Sequence, residues 1–353
     1  MARVGPVNQP FVTAPVKAPS NTVYAAARAR SDGQAKPLGA LGDLETLGAW
    51  VAACQGECPP RQLDDVRVVV FAGDHGIAAD GVSAYPAEIT PAMVYGIAGG
   101  HAGVSVLAAA NDVQVLLYDL GVAVDFPDLP AEISRFKVRR SSGSIHLEDA
   151  LTRAEVEQAI AAGDQIAAEQ ISDGAQLLIS GDLGIGNTTI AAALIAASLG
   201  VPAAAVTGRG TGIDEGTFAH KTALVEAALA RAGERIADPT DRLAALGAAD
   251  FAAAVGFITG AARRGVPVLL DGVSAVAEAL VAEDLAPGTK AWLQAGHRST
   301  EPGQALALDR LGLTPLVDFS MRLGEGSGAV LAVPVVRSAV AALNGIAQLA
   351  DLT

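Results

Sequence analysis

The chain has 353 residues, 51% of them hydrophobic and 18% charged, with a formal net charge of −14. That length suggests about two domains and leaves ample apolar material for a large core. The acidic balance excludes nucleic acid as a bulk partner, because a phosphate backbone needs basic surface. A phosphorylated small molecule stays open, since a pocket of N–H groups can hold an anion on an acidic protein.

The first twenty residues, "MARVGPVNQPFVTAPVKAPS", carry four prolines and no continuous apolar run. They read as an ordered arm or loose tail and not as a secretion signal. "NTVYAAARARSDGQAKPLGALGDLETLGAWVAACQG" then gives two helical segments split by "KPLGALG" and ending near residue 56. Cys54 and Cys58 in "CQGEC" cannot close a zinc site by themselves, and in a cytoplasmic chain they read as reduced thiols.

From there strands alternate with helices. "VRVVVFAGDHG", "VQVLLYDLGV", "AQLLIS", "VPVLL" and "KAWLQAGH" read as buried strands, and "VPAAAV" is a weaker sixth. "LTRAEVEQAIAAGDQIAAEQI" opens on the capping-box pair Thr152 and Glu155, and "HKTALVEAALARAGERI" is a second helix between strands. The last segment, "LAVPVVRSAVAALNGIAQLADL", reads as a helix with Pro334 near its first turn. Apolar stretches such as "IAAALIAASLGVPAAAV" are Ala-rich and broken by Gly and Pro, so they are expected in the core and not across a membrane. Strand, Gly-rich turn and helix in alternation predict an α/β fold with a doubly wound sheet of about six parallel strands, whose ligands bind at the strands' carboxyl ends.

Every Gly-rich segment falls at such an end. "GDLGIGNTTI" follows a strand and opens a helix, where free N–H groups favour an anion; a tight strand-to-helix turn explains it equally well. "TGRGTGIDEGT" is a second such loop, with Arg209 inside it and Lys221 downstream, and the pair favours a phosphate. Asp271 in "LLDGVS" and Ser299 in "AGHRSTEPG" follow further strands. An acid in such a position binds ribose hydroxyls or caps the next helix. Asp74 and His75 in "AGDHG" permit a proton relay, but five histidines without H-x-x-x-H spacing disfavour a metal. There is no G-x-S-x-G elbow, no P-loop and no dinucleotide fingerprint. The chemistry must rest on carboxylates and binding. The most conspicuous carboxylate is Glu325, set between two glycines in "RLGEGSGAV".

Taken together, "KPLGALGDLE", "FAGDHGIAADGVSAYPAEIT", "GDLGIGNTT", "TGRGTGID", "LLDGVS", "AGHRSTEPGQALAL" and "MRLGEGSGAVLA" resemble the nicotinate-nucleotide:dimethylbenzimidazole phosphoribosyltransferases, nearly end to end. The resemblance implies a Rossmann-like parallel sheet flanked by helices. It also implies a small helical domain from both termini (1–60 plus 321–353), a large α/β domain (61–320) and a cytoplasmic homodimer. It implies transfer of 5-phosphoribosyl from nicotinate mononucleotide to 5,6-dimethylbenzimidazole with inversion at C1′, without metal or organic cofactor. Glu325 matches the family's general base, and Asp182 stands where the family commonly has Glu, one methylene longer. Gly184, Gly186, Asn187, Gly208, Gly210, Gly212, Lys221, Asp271, Gly272 and Ser299 match nucleotide-site positions; Ser83, Tyr85, Pro86, Leu183, Leu323 and Gly324 are candidates for the base pocket. Ser105 replaces an Asn common in the family, read as a packing change. The same chemistry on another lower-ligand base, or nucleotide binding without turnover on this scaffold, is the alternative.

Overall fold

A computed structural model describes residues 14–352. Five parallel strands, β1 (Val66–Gly73), β2 (Gln114–Gly121), β3 (Leu177–Leu183), β4 (Val268–Leu270) and β5 (Leu293–Ala295), form a sheet in the order β2-β1-β3-β4-β5. Strand order reverses between β1 and β3, and that switch point opens a crevice beyond their carboxyl ends. A separate two-stranded parallel sheet joins β6 (His297–Ser299) and β7 (Val317–Met321).

The helices are α1 (Asn21–Asp32), α2 (Asp43–Gln55), α3 (Ile89–Ala98), α4 (Gly103–Ala110), α5 (Arg153–Ser172), α6 (Asn187–Leu199) and α7 (Ala203–Val206). They continue with α8 (Glu215–Ala232), α9 (Pro239–Leu246), α10 (Ala249–Arg263), α11 (Val273–Leu285), α12 (Pro302–Leu311) and α13 (Ser327–Gly345). The predicted pair before residue 56 is α1 and α2, and the Thr152–Glu155 capping box opens α5 with both reciprocal bonds made.

Strand alternation divides the core. Val69 and Phe71 of β1 face the cluster formed with α5, α6, α10 and α11, while Val68, Val70 and Ala72 face α2, α4 and α13. The tightest crossing joins α5 to α10. A Cβ on Gly163 would lie 1.8 Å from the Ala253 carbonyl, and one on Gly256 2.0 Å from that of Ile160. Gly256→Ala should therefore force the helices apart at a cost of about 1–3 kcal/mol, read as a lower Tm. An unchanged Tm would mean the crossing relaxes freely.

Two expectations need correction. "VPAAAV" is not a sixth strand: after Pro202 the alanines turn into the short α7. Alanine has the strongest helix propensity and little to offer a pleated surface, so the main sheet has five strands. Nor is Pro334 near the first turn of the final helix. That helix begins at Ser327, which puts Pro334 inside it. It starts early because Asp271, distant in sequence, accepts from the N–H groups of Gly328 (2.8 Å) and Ala329 (2.9 Å). These are donors that a helix start leaves unpaired.

The termini meet. Arg30 Nε donates to Leu343 O (3.0 Å), Gln34 Nε2 donates to Ala342 O (2.9 Å), and Ala27, Ala49, Ala52 and Leu343 form a small cluster of their own. Residues 14–20 run as an ordered arm: Val16 N donates to Pro287 O, and Trp292 Nε1 to Lys17 O; the first thirteen residues lie outside the described part. By length and composition Ile89–Ala110 and Ser327–Gly345 could each cross a bilayer. The first, however, is broken at 99–102 between α3 and α4, and the second packs its valines into the core.

Candidate active site

The site is assembled from the ends of β1 and β3, the loop after β4, and the segment entering α13. β3 delivers Asp182 and then turns through Gly184 and Gly186 into α6. Gly184 lies so close to β1 that a Cβ would meet Gly73 O at 2.1 Å, and Gly186 adopts φ +95° at the helix start. Asn187, first in α6, donates to Asp182 Oδ2 at 2.7 Å, while Asp182 Oδ1 is buried without a hydrogen-bond partner. Burial, reinforced by the nearby Asp250 charge, pushes the Asp182 carboxyl up to about 8 against the pull of His75 and Asn187.

Glu325 sits at the centre of three consecutive left-handed residues: Gly324 (φ +86°), Glu325 (φ 64°) and Gly326 (φ +88°). Glycine adopts this conformation freely, but glutamate pays of order 1–3 kcal/mol for it, and such strain concentrates at functional sites. The turn is held from three sides. Glu325 N donates to Asp182 O (3.2 Å). Asp271 accepts from Gly326 N (3.2 Å), Gly328 N and Ala329 N, and Gly181 packs so tightly that a Cβ would lie 2.5 Å from Glu325 O. The Glu325 side chain is buried, with Oε2 accepting from Val104 N (3.1 Å) at the start of α4. Burial raises its pKa, the Val104 N–H opposes that, and the Asp271 charge adds to it.

These residues open onto one cleft of about 600 Å³ including its mouth. Asp182, Asn187, Gly210, Asp271, Gly272, Ser299, Leu323, Gly324 and Glu325, all singled out from the sequence, line it. Others of that set stand behind its wall. Gly184 and Gly186 pack the loop onto β1 and His75, and Leu183 lies in the core. Gly208 and Gly212 shape the second Gly-rich loop. Lys221 is fully buried beneath that loop: its Nζ donates to Thr188 Oγ1 (2.7 Å) and Gly208 O (3.2 Å). Burial pushes its pKa down to about 8, with the Glu301 charge working against that shift.

The base-pocket candidates Ser83, Tyr85 and Pro86 line a neighbouring, wider cleft of about 1550 Å³ including its mouth, beside Asp74–Gly81. A link joins the two clefts, because Ser83 Oγ lies 3.2 Å from Thr211 Oγ1, which also accepts from Ala84 N at 2.9 Å.

Several cleft residues escaped the sequence reading. Arg322 Nη1 donates to Gly210 O (2.7 Å), and Glu301 Oε1 accepts from Gly210 N (2.8 Å). Glu301 precedes Pro302 at the head of α12, where an acid reads as a helix cap; its side chain makes no cap bond and turns to the loop instead. His75 pairs with Asp250 (3.0 Å) and not with its neighbour Asp74. Cys54 and Cys58 are free, and among the described residues no cluster of three or more His, Cys, Asp or Glu is arranged for a metal ion.

A doubly wound sheet, two Gly-rich loops at its carboxyl edge and a buried acid on a strained turn define an α/β protein of the doubly wound class with a polar cleft at its switch point. The chain belongs to the nicotinate-nucleotide–dimethylbenzimidazole phosphoribosyltransferase family. The family profile described as "Phosphoribosyltransferase" matches residues 16–352. The enzyme of that full name from Mycobacterium marinum is 54% identical over 338 residues, covering 96% of this chain and 94% of the relative. The Mycobacterium tuberculosis enzyme is also 54% identical, covering 96% and 93%. The crystal structure of CobT from Thermus thermophilus superposes with a TM-score of 0.89 at 43% identity, covering 94% of this chain and 98% of that one.

Proposed function

We propose that this chain transfers the 5-phosphoribosyl group of nicotinate mononucleotide to 5,6-dimethylbenzimidazole with inversion at C1′, giving α-ribazole 5′-phosphate and nicotinate. The observation that carries this reading is Glu325: a buried carboxylate with raised pKa, held at the cleft by a left-handed turn. Departure of the pyridinium nitrogen neutralises it, so no acid is needed on the leaving side. The attacking benzimidazole nitrogen is neutral, and the proton on the other ring nitrogen must go as the new bond forms. A carboxylate with raised pKa is better matched to take that proton near neutral pH. Asp182 stands across the Gly324–Glu325 turn and fixes it through its carbonyl; holding the donor sugar and the acceptor base in line supplies much of the rate in such transfers. A chromatographic assay with nicotinate mononucleotide and 5,6-dimethylbenzimidazole tests the reading. It is supported by nicotinate and a new riboside phosphate appearing together, and the absence of both sinks it.

Lys221 organises the phosphate loop in this account. Lys221→Met removes the bonds to Thr188 and Gly208 O, and donor-nucleotide Kd is expected to rise roughly tenfold by calorimetry. An unchanged Kd would move the phosphate elsewhere.

The joined termini support a helical unit (1–60 with 321–353) set against a large α/β unit (61–320). The helical unit exposes the apolar side chains of Leu38, Leu349 and Leu352, which a second copy would cover. A homodimer mass by light scattering is expected, and a monomer would refute that assembly.

A further inference from the structure

Four carboxylates line the cleft, those of Asp182, Asp271, Glu301 and Glu325, and the chemistry above uses only part of that negative charge. Each can be asked whether it is free to accept a hydrogen bond from a ligand. Asp271 is the most committed of the four: Oδ1 takes the N–H groups of Gly328 and Ala329 and lies 3.3 Å from His297 Nε2, and Oδ2 takes that of Gly326. Most of its accepting capacity goes into building the Glu325 turn. Asp182 has one oxygen on Asn187 and the other sealed from solvent. Glu325 faces the start of α4, at the point where the base must react.

Glu301 differs from these three. It is only 6% exposed, yet it lines the cleft, and Oε1 is committed to one partner, Gly210 N, at 2.8 Å. Its carboxylate is pressed against the loop so closely that a Cβ on Gly208 would lie 1.9 Å from Oε2. Arg322 grips the other side of the same residue, donating to Gly210 O at 2.7 Å. A buried acid and a guanidinium therefore flank Gly210 side by side on one wall. An acid repels a phosphate and welcomes hydroxyl donors, while a guanidinium does the reverse. The two ends of a ribose phosphate carry this same pair of demands.

We propose that Glu301 is a substrate-binding residue whose carboxylate accepts a hydrogen bond from a ribose hydroxyl of the donor nucleotide, with Arg322 on the phosphate side. The assignment rests on the donor reading made above. It gives Glu301 the sugar-binding role that a strand-end acid such as Asp271 ordinarily takes.

The test compares binding of nicotinate mononucleotide with its 2′-deoxy and 3′-deoxy forms by calorimetry, in the full chain and in Glu301→Gln and Glu301→Asp. The unaltered protein should bind one deoxy form about 10- to 100-fold more weakly than the ribonucleotide, the range for a hydrogen bond to a charged acceptor. Glu301→Gln should shrink that ratio severalfold by weakening the ribonucleotide selectively, and Glu301→Asp should restore part of it. A merely structural Glu301 would weaken all three ligands alike and leave the ratio unchanged, which overturns the proposal. Equal binding of all three ligands by the unaltered protein overturns it too, without any variant having to fold. Failure of the unaltered protein to bind nicotinate mononucleotide at all would strike the donor reading itself, a result distinguishable from the other two.

Discussion

Glu325→Gln is expected to lower kcat roughly 10²- to 10⁴-fold, the usual worth of a positioned general base, while donor-nucleotide Kd stays within a factor of about three. The amide is isosteric and keeps an oxygen to accept from Val104 N, so the strained turn and the cleft wall should survive. What it loses is the capacity to take the benzimidazole proton. Burial sets the pH behaviour. The free carboxylate is the active form, and burial raises its pKa above the usual glutamate range. The rate should therefore fall as pH drops through a limb above the ordinary carboxylate range. Glu325→Asp, one methylene short, should keep that limb at reduced height, and Glu325→Gln should flatten it. Turnover unchanged in Glu325→Gln would take the base role away from this residue.

How far this site was legible in the sequence depends on how far each partner lies along the chain. Glu325 stood out because flanking glycines announce a backbone conformation that few residues adopt, and the structure gives all three positive φ. The strand-end loops were legible for the same local reason, since an apolar run followed by glycines marks the edge of a parallel sheet. What sequence could not supply was the identity of remote partners. Asp271 reads as a ribose ligand or as a cap for the next helix, but the helix it caps is the last one, through partners at 326, 328 and 329 that lie more than fifty positions away. The cap it makes also decides where the last helix begins and so leaves Pro334 inside. Lys221 reads as a phosphate ligand from its place downstream of the loop, and the structure buries it beneath that loop, which it ties down. Glu301 was hidden by its place before a proline, which mimics a cap. "VPAAAV" failed for the opposite reason: local propensity was sufficient there, and alanine should have outweighed the two valines.

The second large effect concerns His75, fully buried together with Asp250. Its Nδ1 lies 3.1 Å from Ile185 O, which can only accept, so that nitrogen carries a proton; Nε2 lies 3.0 Å from Asp250 Oδ2. Burial opposes charge on the ring, but the Asp250 carboxylate, with Asp182 farther off, overrides it and raises the pKa from 6.5 to about 9. The ion pair thus clamps helix α10 to the loop that presents Asp182 and Asn187. Asp250→Ala should cost about 3–5 kcal/mol, as expected when one member of a buried pair is removed. Asp250→Asn should cost less, because a neutral imidazole can still donate to Ile185 O and accept from the new amide. The pH dependence separates the pair from simple packing. A histidine with raised folded-state pKa contributes stability that is whole below about pH 6.5 and is lost as pH rises through about 9. The Tm gap between the unaltered protein and Asp250→Asn should therefore be widest near neutral and mildly acidic pH and should close toward alkaline pH. A gap of constant size from acid to alkali would mean that Asp250 fills space in α10 and holds no charge on His75.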